Sequence, residues 1–282
     1  MQVTRFRDPR SFLARAEPFL LRAEAENNLM LGIAGTPRYF GEDAYLATVD
    51  HEGAVVACAL RTPPFKAVIT GGEPAAMEYL VTDLAERYPD LTHVHGPEPA
   101  VRHFAEIWAT RTGMPSVQGT RLRLFDIRET PRAAPMVGGA LRPAIERDLA
   151  TVIAWTTAFV AEAIPGDPLD PEAHATHAVA ARSLFIWEDG APVSMAGWAG
   201  KTPRGVRVNL VYSPPECRGR GYGTACVSAL TQLLLDGGRE FCCLYADRSN
   251  PTANSIYQKI GYRPIGDASD YVLSSRKTGS IR

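Results

Sequence analysis

The stretch PPECRGRGYGTA places arginine and glycine close together. Gly219, Gly221 and Gly223 occupy alternate positions, and Arg218 and Arg220 stand directly before the first two. Glycine lets a backbone approach a ligand closely and present its N–H groups. Arginine adds positive charge and fork-shaped donors that match phosphate oxygens. These residue types predict a phosphate site; the alternative is an exposed turn with solvated arginines.

The flanks place this stretch between a strand and a helix. VRVNLVYS, residues 206–213, predicts a strand, and GTACVSALTQLLLDGG, residues 223–238, predicts a helix. A helix start has unpartnered N–H groups and partial positive charge, which favours phosphate. Two familiar motifs fit poorly. A P-loop requires a lysine that is missing here, and a dinucleotide site requires G-x-G-x-x-G rather than G-x-G-x-G.

A second group of polar residues lies in YADRSNPTANSIYQKIGYRP, residues 245–264. Asn250 is suited to cap a helix whose first residue is Pro251. Asn254 and Tyr257 are three residues apart and therefore share one face of that helix. An amide and a phenol opposite the apolar face indicate a binding site; the alternative is a half-buried tyrosine at the rim of the core.

In this order and spacing, the two segments resemble the GNAT acetyltransferase superfamily over about residues 140–275. The acyl-CoA signature of the family, [Q/R]-x-x-G-x-[G/A], is matched by Arg218, Gly221 and Gly223. Its later motif, an Asn and a Tyr in a helix followed by Gly-aromatic, is matched by Asn254 and Tyr257 with the Gly-Tyr pair that follows them.

The resemblance implies that an amine directly attacks the thioester of acetyl-CoA. The strand NLVYS would splay from its neighbour, with pantetheine along the gap and the N–H of Val211 polarising the thioester carbonyl. Tyr257 would protonate the leaving thiolate. The candidate catalytic residues are Tyr257 and Val211. The candidate cofactor-binding residues are Val211, Tyr212, Ser213, Arg218, Gly219, Arg220, Gly221, Tyr222, Gly223, Thr224, Asn250, Asn254 and Tyr257.

The sequence leaves the general base and the acceptor open. Many family members carry a glutamate on the strand before the loop, where this chain has Arg207 and Asn209. The acidic segment AEAIPGDPLDPEAHATH, residues 161–177, could attract a cationic amine; the alternative is a solvated loop. The acceptor is expected to be the amine of a small molecule or peptide, and the acyl donor could be longer than acetyl.

The order hairpin, helix, strand, helix, strand occurs twice, on either side of the Pro- and Gly-rich segment 128–140, which predicts a linker. We therefore predict an α/β protein of two GNAT-like domains, each a mixed, mostly antiparallel sheet with flanking helices. Residues 1–130 lack both motifs and are predicted to be a degenerate copy without a CoA signature. Residues 140–282 are predicted to be the catalytic acetyltransferase domain. A single mixed α/β domain is the alternative.

Composition excludes several other functions. The net charge of −1 gives no basic footprint for nucleic acid, and no apolar run approaches the ~18–20 residues that cross a bilayer. The start has no apolar core of a secretory signal, so the cytoplasm is expected. Five cysteines without a C-x-x-C pair predict reduced, packed thiols. The HVH and HATH pairs lack further ligands, so no metal is expected. The oligomeric state is not predicted.

Two other classes of function remain open at this point. A non-catalytic acyl-CoA-binding sensor would keep the predicted phosphate site from Arg218 to Thr224, called the cradle below, and would only recruit its ligand. The retention of Tyr257 disfavours such a sensor. A nucleotide-dependent oxidoreductase is disfavoured by the glycine spacing. The sequence therefore favours an N-acetyltransferase that uses acetyl-CoA as a cosubstrate and no metal.

Overall fold

The computed structural model describes residues 1–131 and 137–273, so residues 132–136 of the predicted linker lie outside it. The helices are α1 (Pro9–Leu20), α2 (Asn28–Ala34), α3 (Ala76–Arg87), α4 (Glu98–Thr112), α5 (Leu149–Ala163), α6 (Pro171–Ala180), α7 (Tyr222–Asp236) and α8 (Pro251–Ile260). The strands are β1 (Gln2–Arg5), β2 (Tyr45–His51), β3 (Ala54–Arg61), β4 (Ala67–Ile69), β5 (His93–Pro97), β6 (Ser116–Ile127), β7 (Ala140–Pro143), β8 (Leu184–Asp189), β9 (Ala191–Ala199), β10 (Gly205–Tyr212), β11 (Phe241–Asp247) and β12 (Arg263–Leu273). None of these helices has the length and apolar character needed to span a bilayer.

The chain forms two compact units. Unit 1 comprises Met1–Arg123 together with the segment that starts at Gly266, and unit 2 comprises Leu124–Ile265. The predicted boundaries, 1–130 and 140–282, differ from these units chiefly in the last strand of the chain. The functions assigned to the two halves stay predictions.

The sheet of unit 1 has the order β1-β2-β3-β4-β5-β12. All its neighbours are antiparallel except β4 and β5, which are parallel. Apolar side chains of α1 and α2, including the buried Phe12, pack in one cluster with β2 and β3. Those of α3 and α4, including the buried Trp108, pack in another. The unit is thus a mixed, mostly antiparallel sheet between two helical layers.

Unit 2 repeats this plan with the order β7-β8-β9-β10-β11-β6. β10 and β11 are parallel, and β7 to β10 are antiparallel. Residues of α7 and α8 pack in one cluster with Phe125 and Phe185, and residues of α5 and α6 pack in another with Leu184 and Ile186. An Asp-Gly turn, Asp189-Gly190, joins β8 to β9, with Gly190 at a φ of 70°.

The last strand of each sheet comes from the other half of the sequence. β12 pairs with β5 in unit 1, from Ala268↔Pro97 to Val272↔His93. β6, whose residues Leu124–Ile127 belong to unit 2, lies beside β11. The sequence prediction assigned each strand to its own half. Strand pairing depends on an open sheet edge and on matching apolar faces rather than on separation along the chain, so the element order did not reveal this exchange.

A partly buried ion cluster holds β12 against β5 in unit 1. His95 and Asp270 are directly opposite in the register, and His95 Nδ1 lies 2.7 Å from Asp270 Oδ1. Lys66 Nζ donates to Asp270 Oδ2 at 2.8 Å. Burial by itself would raise the pKa of Asp270, but the hydrogen bond with His95 and the charges of His95 and Lys66 hold it below its ordinary value. The cluster therefore stabilises the pairing of β12.

Asp270→Asn should lower the free energy of unfolding at pH 7 by about 2 kcal/mol, because it removes the carboxylate that His95 and Lys66 both contact. A carboxylate with a lowered folded pKa stabilises the fold above its unfolded pKa, about 3.9, and loses this contribution as the pH falls. The difference between wild type and variant should therefore shrink below about pH 4. Urea unfolding of both proteins at several pH values measures it. Asp90→Asn, at an exposed turn, is the control, and equal unfolding midpoints at pH 7 would contradict the prediction.

Candidate active site

β10 contains a bulge close to its end. Its register with β9 shifts between Asn209 and Tyr212, so the two residues between them oppose one residue of β9. Leu210, the first of the two, has a φ of 49°, a left-handed conformation that is strained for leucine. A bulge takes backbone groups out of the regular ladder. The N–H of Val211 is predicted to polarise a carbonyl, and this residue lies in the bulge.

The parallel pairing of β10 with β11 covers only the first part of both strands. On β10 the register starts at Gly205 and ends at Arg207, whereas the strand continues to Tyr212. The carboxyl ends of the two strands therefore extend beyond their shared ladder. The family resemblance implies a gap for an extended ligand at this place, between the ends of β10 and β11.

The loop after β10 enters α7 through two glycines with left-handed backbone. Gly219 has a φ of 72° and Gly221 a φ of 86°, a conformation that only glycine adopts without strain. Gly221 is the N-cap of α7, and no side chain caps the helix. The N–H of Ala225 donates to the carbonyl of Gly221 at 3.0 Å, so the N–H groups of the preceding turn have no intrahelical partner. A Cβ built at Gly219 meets no atom within 4 Å, so this face of the loop is open to an anion.

Arg218 is bound by groups of the protein itself. Its Nη2 lies 3.0 and 2.8 Å from the two carboxylate oxygens of Glu162, in the last turn of α5. Its Nε donates to the carbonyl of Ser213 at 2.9 Å, and its Cζ lies 5.4 Å from the centre of the Tyr212 ring. The sequence predicted phosphate as its partner. The structure shows the carboxylate of Glu162 as its partner, and the contact with phosphate stays a prediction.

Arg220 and Tyr222 differ in exposure and in role. Arg220 is exposed, and its Cζ lies 5.1 Å from the centre of the Tyr222 ring. The ring of Tyr222 is buried, and its hydroxyl donates to Asp189 Oδ2 at 2.6 Å, which raises the pKa of Tyr222. The side chain of Tyr222 therefore anchors the start of α7 to the β8–β9 turn, and only its backbone N–H remains a candidate for the cofactor.

The end of β10 and the start of α7 meet at a buried serine of β9. Ser194 Oγ donates to the carbonyl of Tyr212 at 3.1 Å and accepts from Ser213 Oγ at 2.9 Å. A Cβ at Gly223 would lie 3.3 Å from Ser213 Oγ, so a side chain there would crowd this contact. Thr224, next along α7, is partly buried.

Tyr257 lies in the aromatic part of the unit 2 core and is 8% exposed. The centres of the Phe125 and Tyr262 rings are each 6.1 Å from its ring. Burial raises its pKa to about 12, so the phenol keeps its proton at neutral pH. The sequence predicted a proton donor at this position, and the catalytic role stays a prediction.

The two asparagines of the second motif serve the local structure of α8. Asn250 Oδ1 accepts from the N–H of Ala253 at 3.0 Å, which makes it the N-cap of α8 as predicted. Asn254 Nδ2 donates to the carbonyls of Asp247 and Asn250 at 2.8 and 2.6 Å. Asn254 Oδ1 is buried and has no hydrogen-bond partner, so one acceptor at this helix end is available to a donor. Their contacts with a cofactor stay predictions.

The comparisons with known proteins concern the family and the fold. Residues 186–272 match the FR47-like protein family, and no curated protein matches the chain in sequence. A Drosophila protein has a TM-score of 0.69 at 9% identity and covers 96% of this chain and 98% of its own. A GCN5-related N-acetyltransferase from Sphaerobacter thermophilus has a TM-score of 0.62 at 15% identity and covers 96% of this chain and 95% of its own. A tandem GNAT protein from the clavulanic acid biosynthesis pathway has a TM-score of 0.56 at 12% identity and covers 97% of this chain and 98% of its own.

In fold, the chain is similar to GNAT acetyltransferases over nearly its whole length, and residues 186–272 match the FR47-like family. Because the neighbours extend over nearly the whole chain, the predicted fold class is confirmed: α/β, with two GNAT-like units, each a mixed, mostly antiparallel sheet with flanking helices.

The GNAT-like unit 1 has no open cradle at the corresponding place, the segment between β4 and α3. A Cβ at Gly72 would lie 2.0 Å from the carbonyl oxygen of Val56, so this loop lies directly against β3. A Cβ at Gly96 of β5 would lie 2.7 Å from Ile69 Cγ1, so β4 and β5 stay in close contact there, whereas β10 and β11 of unit 2 leave their ladder. This packing supports the prediction that the first half does not hold CoA.

Sequence reasoning missed the partners of the GNAT motif residues. Glu162 lies in the acidic segment 161–177, for which the sequence left a solvated loop and an amine site as alternatives. Only the structure shows that Glu162 pairs with Arg218. Of the other acids there, Asp170 caps α6 and Asp167 accepts from the N–H of Leu169. Asp189, in the turn between β8 and β9, is likewise paired with Tyr222 only by the structure. Spacing along the chain contains no signal for such pairs, because they join elements that are distant in sequence.

The thiols and histidines give no metal site among residues 1–131 and 137–273. All five cysteines are free, and Cys242 and Cys243 are fully buried. Of the HVH pair, His95 contacts Asp270 and the exposed His93 lies beside Thr92. The buried thiols therefore contribute to core packing, and His95 contributes to the pairing of β5 with β12 within unit 1.

Proposed function

We propose that this protein is an acyltransferase that transfers an acetyl group from acetyl-CoA to a primary amine of a small molecule or peptide. The observation that carries the proposal is the uncapped start of α7. Its N–H groups, two left-handed glycines and two arginines meet where β10 leaves its ladder with β11. An anion with an extended tail fits this combination of donors and open edge.

Four features of unit 2 fit the parts of CoA. The open backbone from Gly219 to Thr224 and the side chain of Arg220 would hold its pyrophosphate. The ends of β10 and β11, including Val211, would face its pantetheine arm. The buried, unpartnered Oδ1 of Asn254 would accept from an amide N–H of that arm, since an unsatisfied buried acceptor costs free energy.

Acetyl-CoA, when bound, supplies the activated acyl thioester. The N–H of Val211, displaced from the ladder by the bulge, would stabilise negative charge on the carbonyl oxygen. Tyr257, protonated at neutral pH because its pKa is about 12, would give its proton to the departing thiolate sulfur. The general base stays unassigned, and the cytoplasm remains the place where we expect the reaction.

The burial of Tyr257 favours one alternative, a non-catalytic acyl-CoA sensor. A phenol that lies among Phe125 and Tyr262 would then serve the core only. Such a protein would bind acetyl-CoA in the same cradle without turnover.

The test is release of free CoA thiol from acetyl-CoA, measured with a panel of primary amines, next to calorimetric titrations with acetyl-CoA, NAD and ATP. We expect micromolar binding of acetyl-CoA alone among the three ligands, and thiol release that depends on an amine. Binding without release for every amine would support the sensor. Binding of NAD or ATP instead of acetyl-CoA would contradict both readings.

A further inference from the structure

α5 combines an apolar face with one carboxylate. Among its fifteen residues the only charged one is Glu162, and only Val152 and Thr156 are buried. Trp155 and Phe159 are partly buried against the core beneath them. Positions 155, 159 and 162 are spaced four and three apart, so these side chains share one face of the helix.

This face continues into the candidate active site. The rings of Trp155 and Tyr212 are 6.2 Å apart, and Arg218 lies over Tyr212 while it contacts Glu162 at 2.8 Å. Tyr212 directly follows Val211, the residue of the bulge. The apolar face, the carboxylate and the arginine of the cradle are thus neighbours at the end of β10.

The ion pair at this position is exchangeable. The side chains of Arg218 and Glu162 are 46% and 49% exposed, and exposed pairs of this kind contribute only a factor of about 1.5 to 5 in an equilibrium. A pyrophosphate carries more negative charge than one carboxylate and therefore displaces it readily. Once released, Glu162 is an unpaired carboxylate beside aromatic rings.

We propose that Glu162 exchanges partners: it binds Arg218 in the free protein and, when acyl-CoA takes Arg218, it binds the ammonium group of an acceptor with an apolar body. This inference rests on the proposed function. The acceptor class follows from charge complementarity with Glu162 and from the apolar face of Trp155 and Phe159. Aryl- and alkylamines fit this face, whereas polyamines place a second charge on it.

The exchange makes the two ligands cooperative. CoA frees Glu162 for the amine, and linkage requires the amine to strengthen CoA binding by the same factor. We expect CoA to tighten the binding of 2-phenylethylamine about two- to fivefold. An exposed ion pair such as Arg218–Glu162 contributes a factor of about this size, and it no longer competes once CoA holds Arg218. In the presence of CoA, spermidine should bind more weakly than 2-phenylethylamine.

Calorimetry on the full chain tests this with CoA and 2-phenylethylamine, each titrated alone and in the presence of the other. Glu162→Gln should bind CoA about two- to fivefold more tightly than wild type, because the competing carboxylate is gone. It should bind the amine about tenfold more weakly, and the cooperativity should disappear. Glu172→Gln, an exposed carboxylate of α6, should behave as wild type.

Several results would overturn the exchange. Weaker CoA binding by Glu162→Gln would show that Glu162 holds Arg218 in place for phosphate. Cooperativity that survives in this variant, or a preference of wild type for spermidine, would assign the amine to other residues. A wild type that binds no acetyl-CoA would overturn the proposed function as well, whereas CoA binding without cooperativity would overturn the exchange alone.

Discussion

Tyr257→Phe should lower kcat for acetyl transfer by about 10²–10⁴-fold, the usual effect of removing a positioned acid. The substitution keeps the ring that packs on Phe125 and Tyr262, so the fold and acetyl-CoA binding should be preserved. Burial raises the pKa of Tyr257 to about 12. The phenol therefore stays protonated from neutral pH up to about two pH units below this pKa. Steady-state kinetics with a saturating amine, together with calorimetry for acetyl-CoA, separate the catalytic effect from binding.

Tyr262→Phe is the matched control. Tyr262 is buried in the same cluster, but its hydroxyl contacts Thr231 Oγ1 at 2.7 Å. Its removal should reduce stability by about 1 kcal/mol, the net value of a typical hydrogen bond, and leave kcat unchanged. A Tyr257→Phe variant with kcat within about twofold of wild type is too active for the loss of a general acid, and it would assign Tyr257 to the core.

Arg220→Ala should weaken acetyl-CoA binding by about 10- to 150-fold, because a charge-assisted hydrogen bond to phosphate contributes about 1.5–3 kcal/mol. Arg218→Ala should weaken it less, since phosphate has to displace Glu162 before it gains the guanidinium of Arg218. Both effects should shrink as salt concentration rises, because exposed charges are screened. Calorimetric titrations at low and high salt provide the measurement.

Arg263→Ala provides the control for charge alone. Arg263 belongs to unit 2, is exposed and pairs only loosely with Glu129 at 3.6 Å, so its removal should leave acetyl-CoA affinity unchanged. If Arg218→Ala and Arg220→Ala both bind acetyl-CoA as wild type does, the start of α7 is not the phosphate site. If all three arginine variants weaken binding equally, net charge and not the cradle governs affinity.

Local sequence specified those features whose physical cause lies within a few residues. Gly219 and Gly221 adopt the left-handed backbone that their lack of a Cβ permits. Asn250 and Pro251 start α8 because an amide accepts from the first turn and proline tolerates the first helical position. Asn254 and Tyr257 were placed in one helix by spacing alone. Short-range patterns of this kind also carried the resemblance to the GNAT superfamily.

Long-range packing established the features that join distant parts of the chain. β12 pairs with β5 in unit 1, and Glu162 binds Arg218 across 56 residues. Burial raises the pKa of Tyr257, and its ring lies beside Phe125 of β6 and Tyr262, neither of which belongs to α8. The residue types permit each of these contacts with many partners. Only the folded arrangement of sheet edges and helix faces selects one, because pairing and burial energies depend on distance in space and not on separation along the sequence.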